Sequence, residues 1–216
     1  MTTLAEHRPV VLLGAGGHAR VLLQALRALD VPVVGFIAPT AEGSRLGDVP
    51  WLGGDDALAS LADVDLVNAV GSAGRVERRA AAHESGTAAG LRFRTVVHPR
   101  AIVDDSAVLG EGVQVLAGAV VGAGARLGDD VIVNTAAVVE HDGVVGAHSH
   151  IASGALLAGD VTVGGSTHVG LGARVIQGVA IGSSCVIGAG AVVLADVPDG
   201  ATAVGIPARL LPTGRT

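Results

Sequence analysis

Between residues 101 and 196 an aliphatic side chain returns at every sixth position without a slip. Cut at Ala101, the stretch reads AIVDDS, AVLGEG, VQVLAG, AVVGAG, ARLGDD, VIVNTA, AVVEHD, GVVGAH, SHIASG, ALLAGD, VTVGGS, THVGLG, ARVIQG, VAIGSS, CVIGAG, AVVLAD. The third position is Val, Leu or Ile in all sixteen units, and the first is Ala, Val, Gly, Ser, Thr or Cys. A helix would renew its apolar face near every 3.6 residues, so a period of six predicts short strands joined by tight turns. Three units close one triangular coil of eighteen residues, and ninety-six residues give a little over five coils. The pattern predicts a left-handed parallel β-helix, an exception to the right-handed crossover rule.

The first hundred residues follow another pattern. Residues 9–13 form a short apolar run, followed by Gly14-Ala-Gly-Gly-His-Ala19 and an amphipathic stretch over residues 20–29. A second strand is predicted over 31–37 and a third over 64–70. The third ends at Gly71-Ser-Ala-Gly74 before a helical stretch with Arg75, Arg78 and Arg79. Strands alternating with helices predict a small parallel α/β sheet of Rossmann-like kind. Residues 91–99 are expected to supply its last strand and the link into the solenoid. Two domains follow, 1–97 and 98–216.

Composition sharpens this division. The aromatic residues are Phe36, Trp51 and Phe93, and none lies in the repeats, whose narrow interior leaves little room for rings. The single cysteine, Cys185, occupies a small-residue position of its unit and reads as structural; one thiol fits a reducing, cytoplasmic setting. No stretch is long and apolar enough to span a membrane, and the start, with Glu6 and Arg8 before the first apolar run, is not that of a secretory signal. A formal charge of −6 argues against nucleic acid as a partner. Lysine and tyrosine are absent. That removes Schiff-base chemistry and a P-loop lysine, and leaves acid–base work to His, Asp, Glu or a thiol.

The glycine loop has two readings. Gly14, Gly16 and Ala19 satisfy G-x-G-x-x-G/A between a strand and a helix, where backbone N–H groups and the helix N-terminus favour a phosphate. A dinucleotide site would place a carboxylate at the end of the second strand, which here reads Phe36-Ile-Ala-Pro39. The expected ligand is another phosphate-bearing molecule; the alternative is a tight turn that binds nothing. His18 stands where it could bond that ligand, or it is an exposed helix-start histidine with no role.

Within the repeats, Asn134, Glu140, His141, Asp142, His148 and His150 fall inside seventeen residues. The eighteen-residue coil places Ala123, Gly159, Gln177 and Ala195 in one column with His141. Small residues beside one imidazole suit a groove for an extended ligand. By the same arithmetic His168 stacks on His150. A histidine with pKa near neutrality suits general-base catalysis, and either Glu140 or Asp142 could fix its tautomer. The backbone N–H of Gly159 is a candidate oxyanion donor. His148 and His168 read as surface residues.

The segments VVLLGAGGHARVLL, GFI, HPRAIV and VVEHDGVVGAHSHIASGALLAGDVTVG, with the closing VPDGATAVGIPAR, resemble the sugar acetyltransferases of the NeuD type along the whole chain. Among these the likeness is to bacterial nucleotide-linked 4-amino-sugar N-acetyltransferases of the bacillosamine and perosamine kind. The resemblance implies a homotrimer, acetyl-CoA in the groove between adjacent β-helices, and a nucleotide-linked amino sugar on the N-terminal domain. It matches His141 to the catalytic base and Glu140 to its carboxylate partner, Asn134 and His150 to further active-site positions, and Gly14, Gly16, Gly17 and His18 to the nucleotide-sugar loop. On the acetyl-CoA side His150 is expected with Gly159 and Gln177, and Arg174 and Arg209 are the candidates for the CoA phosphates. Two departures stand near the nucleotide: Ala38-Pro39 where the family often has an acidic residue, and Ser72-Ala73 where it often has Asp-Asn or Asn-Asn.

The expected function is therefore acetyl-CoA-dependent N-acetylation of a nucleotide-linked amino sugar, without a metal. The alternatives are O-acetylation of a sialic-acid-like sugar, a metal-dependent hydratase of the γ-carbonic-anhydrase kind, and a non-catalytic scaffold.

Overall fold

In the computed structural model the described residues are 8–42, 46–72 and 76–212. Glu6, Ala73, Gly74 and Arg75, named above, lie outside them. Four parallel strands, β1 (Val10–Leu13), β2 (Val33–Ile37), β3 (Trp51–Gly53) and β4 (Asp65–Asn68), form a sheet in the order β3-β2-β1-β4. β1 sends alternate residues into apolar clusters on both faces and is fully buried, as a central parallel strand must be. Helix α1 (Gly17–Ala28) buries Ala19, Leu22, Leu23, Ala25 and Leu26 at i, i+3 and i+4 spacing against one face. Helix α2 (Glu77–Ala88) and a 3₁₀ helix (Asp55–Ser60) belong to the other, where Val11, Leu13, Leu58, Leu66 and Phe93 pack together. The edge strand β3 was not expected from the sequence: its three residues, Trp-Leu-Gly, are too few to show a period.

Residues 91–99 divide between both bodies. Phe93 makes a parallel bridge to Leu66 at the sheet edge, whereas β5 (Val96–Val97) pairs with Gln114 and Val115 of the repeats.

From residue 101 each hexapeptide gives one two-residue strand, beginning with Ile102–Val103 and ending with Val192–Val193. Each strand up to Arg174–Val175 pairs in parallel with the strand eighteen residues on, as Ile132–Val133 does with His150–Ile151. Three sheets of five, eight and six strands result, the eight-stranded one including β5, Thr202–Val204 and Arg209–Leu210. Side chains from the first and third positions fill one continuous core, among them Ala119, Val121, Ala137, Val139, Ala155 and Leu157. Polar residues at first positions are satisfied coil by coil: Ser149 Oγ donates to the Gly164 carbonyl and Thr167 Oγ1 to that of Gly182, at 2.8 Å each.

The sixth position turns the corner. From Gly112 to Gly190 every sixth residue has a positive φ, which explains why Gly, Asp and Ser recur there, with Ala136 and His148 once each. Polar side chains on these corners are a by-product of turn geometry as well as of function.

Candidate active site

Consecutive hexapeptides face different sides of a triangle, so neighbours in sequence are not neighbours in space. Asn134 turns from the eight- to the six-stranded sheet, His141 from the six- to the five-stranded sheet, and His148 from the five- to the eight-stranded sheet. Asn134, His141 and His148 thus occupy three different corners, and the polar residues of 134–150 do not form one cluster.

At the second corner His141 projects from its turn, 64% exposed at the side chain. Its Nδ1 lies 3.0 Å from Asp142 Oδ2. Because a carboxylate can only accept, Nδ1–H donates and Nε2 is left as the basic nitrogen. The left-handed backbone of Asp142, φ 58°, accompanies this return of the carboxylate to its neighbour. The hydrogen bond to Asp142 raises the imidazole pKa above its usual value, with smaller contributions from the charges of Asp142, Glu140 and Asp160. Of the two carboxylates the sequence left open, Asp142 bonds the ring, whereas Glu140 acts on it through its charge alone.

Gly159 lies one coil further along this column. A Cβ built there would collide with Nε2 and Cε1 of His141, so the ring rests over a bare Cα. The Gly159 N–H donates no hydrogen bond to a described residue. Gln177, two coils from His141, is exposed. Ala195, the third, lines a cavity of about 260 Å³ together with Arg209. Arg174, also exposed, pairs in register with Leu156 and Val192 on the six-stranded sheet beside the column. The column therefore runs from His141 to Arg209 along one edge of the prism.

The N-terminal sheet sits on the outer face of the eight-stranded sheet, through contacts the sequence did not reveal. His18 Nε2 donates to Gln114 Oε1 at 2.7 Å, because Gln114 Nε2 is itself committed to the Asn68 carbonyl at 2.7 Å. Burial pushes the His18 pKa down to about 4. His18 thus spends one ring nitrogen on the solenoid, where the sequence had it facing a ligand.

His150, expected beside acetyl-CoA, is buried against the N-terminal sheet. Its Nδ1 lies 3.1 Å from the Ser72 carbonyl and 2.6 Å from Ser72 Oγ, and Asn134 Nδ2 lies 2.9 Å from Nε2. The carbonyl fixes the proton on Nδ1, so Nε2 accepts from the Asn134 amide. Asn134 Oδ1 in turn accepts from the Thr135 N–H at 2.7 Å, which sets the amide orientation. Burial, aided by His168 and His18, drives the His150 pKa to about 3, so the ring stays neutral. His168 does lie beside it, 5.0 Å away edge to face.

Between these contacts Arg79 and Asp130 form an ion pair at 2.7 Å, both side chains wholly buried. Asn68 Nδ2 bonds the same carboxylate at 3.0 Å, and His148 Nδ1 lies 3.2 Å from Oδ2. His148 is therefore tied to the domain junction, and it is not the surface residue the sequence suggested. The chain's two asparagines, Asn68 and Asn134, both serve this junction, a signal that their rarity could have given.

The glycine loop lies at the carboxyl end of β1. Gly14 has φ 112°, and a Cβ there would come within 3.1 Å of the Ala69 backbone, so no other residue fits without strain. Gly16 caps α1 and Gly17 opens it, both with free space around the Cα. In an order of β3-β2-β1-β4, the crevice between β1 and β4 is the topological switch point, where α/β sheets take their ligands.

Comparison with known proteins agrees with this architecture. The family described as the PglD N-terminal domain matches residues 9–82. No curated protein matches by sequence. Among solved structures, the acetyltransferase domain of PglB from Neisseria gonorrhoeae in complex with acetyl coenzyme A superposes with a TM-score of 0.89. It is 38% identical, with 95% of this chain and 100% of that one covered. PerB from Caulobacter crescentus, in complex with CoA and GDP-perosamine, gives 0.88 at 39% identity over 94% of this chain and 97% of its own. WeeI from Acinetobacter baumannii, at 20% identity and 0.56, shares the fold. With such identity over nearly its full length, the chain belongs to the hexapeptide-repeat sugar N-acetyltransferases of the NeuD, bacillosamine and perosamine type.

Proposed function

We propose that the protein transfers the acetyl group of acetyl-CoA to the amino group of a nucleotide-linked 4-amino sugar, with His141 as general base. The observation that carries this reading is the His141–Asp142 pair, whose free Nε2 sits over Gly159 at the head of a column leading to Arg209. The relatives support it: the gonococcal protein is an acetyltransferase domain solved in complex with acetyl coenzyme A, and the Caulobacter enzyme was crystallised with CoA and GDP-perosamine. Two further structures of the latter carry a histidine replaced, by Asn in one and by Ala in the other.

The chemistry follows from what amide formation requires. The sugar amine attacks the thioester carbonyl carbon as a neutral nucleophile, and its surplus proton passes to His141 Nε2. Asp142 stabilises the imidazolium that forms. The Gly159 N–H, which bonds no described residue, donates to the developing oxyanion in this reading. As the C–S bond breaks, the imidazolium returns the proton to sulfur and CoA leaves as the thiol. Arg174 and Arg209 are the cations available to the CoA phosphates, and the Gly14–Gly17 turn at the α1 N-terminus receives the diphosphate of the sugar nucleotide.

The site as it stands on one chain has a single wall, and a second β-helix of a homotrimer completes the groove. The enzyme's setting in this reading is the cytoplasm. The test is thiol release from acetyl-CoA in the presence of nucleotide-linked amino sugars. His141→Asn should lower kcat by roughly 10²–10⁴-fold while leaving nucleotide-sugar binding within a factor of about two. An Asn variant that retains most of the activity across pH 6–9, with chemistry limiting turnover, would remove His141 from the role.

A further inference from the structure

A cavity of about 480 Å³ opens at the carboxyl ends of β1, β2 and β4, between the 3₁₀ helix and α2. Its walls are mainly aliphatic, with Leu13, Ile37, Leu58 and Val70 facing Ala81 and Ala82 of α2. Two charged side chains line it, Asp55 from the first residue of the 3₁₀ helix and Arg78 from the first turn of α2. Both are exposed, and neither bonds to any described residue. β2 runs out on the apolar Ala38-Pro39, so Asp55 is the sole carboxylate among the lining residues.

An apolar slot with a few polar groups at its rim is the setting that orients a flat heterocycle. We propose that this cavity takes the nucleobase of the sugar nucleotide and that Asp55 selects guanine. The proposal rests on the nucleotide-sugar reading given above and names the base that reading leaves open. A carboxylate at neutral pH offers acceptors alone. Guanine presents two donors side by side, N1–H and the N2 amino group, which match the two carboxylate oxygens. Uracil and thymine present one N–H flanked by carbonyl oxygens, which a carboxylate repels. Cytosine and adenine set their amino group beside a bare ring nitrogen, which gains nothing from an acceptor. Arg78, on the opposite element, is the donor for guanine O6 and N7, the commonest arginine–base pairing.

The experiment is calorimetric titration of the full-length protein and of Asp55→Asn with GDP, IDP, XDP, UDP, dTDP and CDP. The unmodified protein should bind GDP tightest, and IDP, which lacks the N2 amino group, more weakly. Asp55→Asn should weaken GDP by about 5- to 150-fold, the range for loss of a bidentate base contact. The same variant should gain affinity for XDP, because an amide can donate to the xanthine O2 while accepting from N1–H. That gain cannot come from a misfolded protein, and the GDP-over-IDP preference needs no variant at all. Tightest binding of UDP, dTDP or CDP overturns the guanine assignment and leaves the nucleotide-sugar reading standing. An Asp55→Asn protein that keeps the GDP preference and ignores XDP overturns the role of Asp55. Acetyl transfer to a free amino sugar, with no nucleoside diphosphate bound, overturns both readings together.

Discussion

His141 is an exposed imidazole on a turn, and two neighbours give it a defined chemical state. Asp142 holds the proton on Nδ1 and stabilises the cationic form, and Gly159 leaves the space that Nε2 occupies. The sign of the pH effect follows. A base held at a raised pKa is protonated, and idle, to a higher pH than an ordinary histidine, so kcat/KM should climb on an acid limb set above the usual value. Asp142→Asn removes the main cause of that shift and should move the limb to lower pH. The plateau should fall at the same time, since the imidazolium formed during transfer loses its counter-charge. Profiles of kcat/KM between pH 5.5 and 9 decide this; an unmoved limb would mean that Asp142 does not touch the catalytic base.

At the scale of elements, the two halves are joined by buried polar groups as well as by apolar contacts such as that of Leu116 with the N-terminal core. Arg79 on α2 reaches the buried carboxylate of Asp130 on a solenoid corner and also bonds the Asn68 and Val70 carbonyls of the sheet at 2.9 and 3.0 Å. Burial lowers the Arg79 pKa to about 10, so it is still cationic at neutral pH. Breaking a buried pair by neutralising one member strands the other charge, at a cost of about 3–5 kcal/mol. Asp130→Asn should therefore lower unfolding stability by that order in denaturant titration, with the loss concentrated where α2 meets the coil by hydrogen exchange. A change below about 1 kcal/mol would show that water reaches the pair. None of this was legible beforehand. The repeat announced itself because a period of six survives any substitution among Val, Leu and Ile, and the glycine turn because Gly14 has no substitute. Arg79 looked like its neighbour Arg78, and Asp130 like any corner aspartate, because a contact between residues 51 apart leaves no mark in either local pattern. The choice between Glu140 and Asp142 stayed open for the same reason, since both adjoin the histidine in sequence and only the folded turn brings Asp142 to its ring.

Taken as a whole, the single chain leaves the edge that carries His141 open. The His141 side chain is 64% exposed, and aliphatic residues around the coils, Ile102, Leu171 and Leu194 among them, face solvent at 51–66%. A thioester transfer in such a setting would compete with water. We expect the protein to sediment near three times 21.2 kDa, with acetyl transfer lost as dilution releases single chains. Full activity in a monomer would dismiss a site shared between copies.

The coil also acts as a ruler. Each turn of eighteen residues advances the prism by one strand spacing, about 4.8 Å, and brings every side chain back to the same face. The column from His141 through Gly159 and Gln177 to Ala195 is therefore counted in whole coils. An extended acyl carrier laid along that edge is measured in steps, and a shorter or longer carrier could be matched by removing or adding a coil without turning His141 away from it.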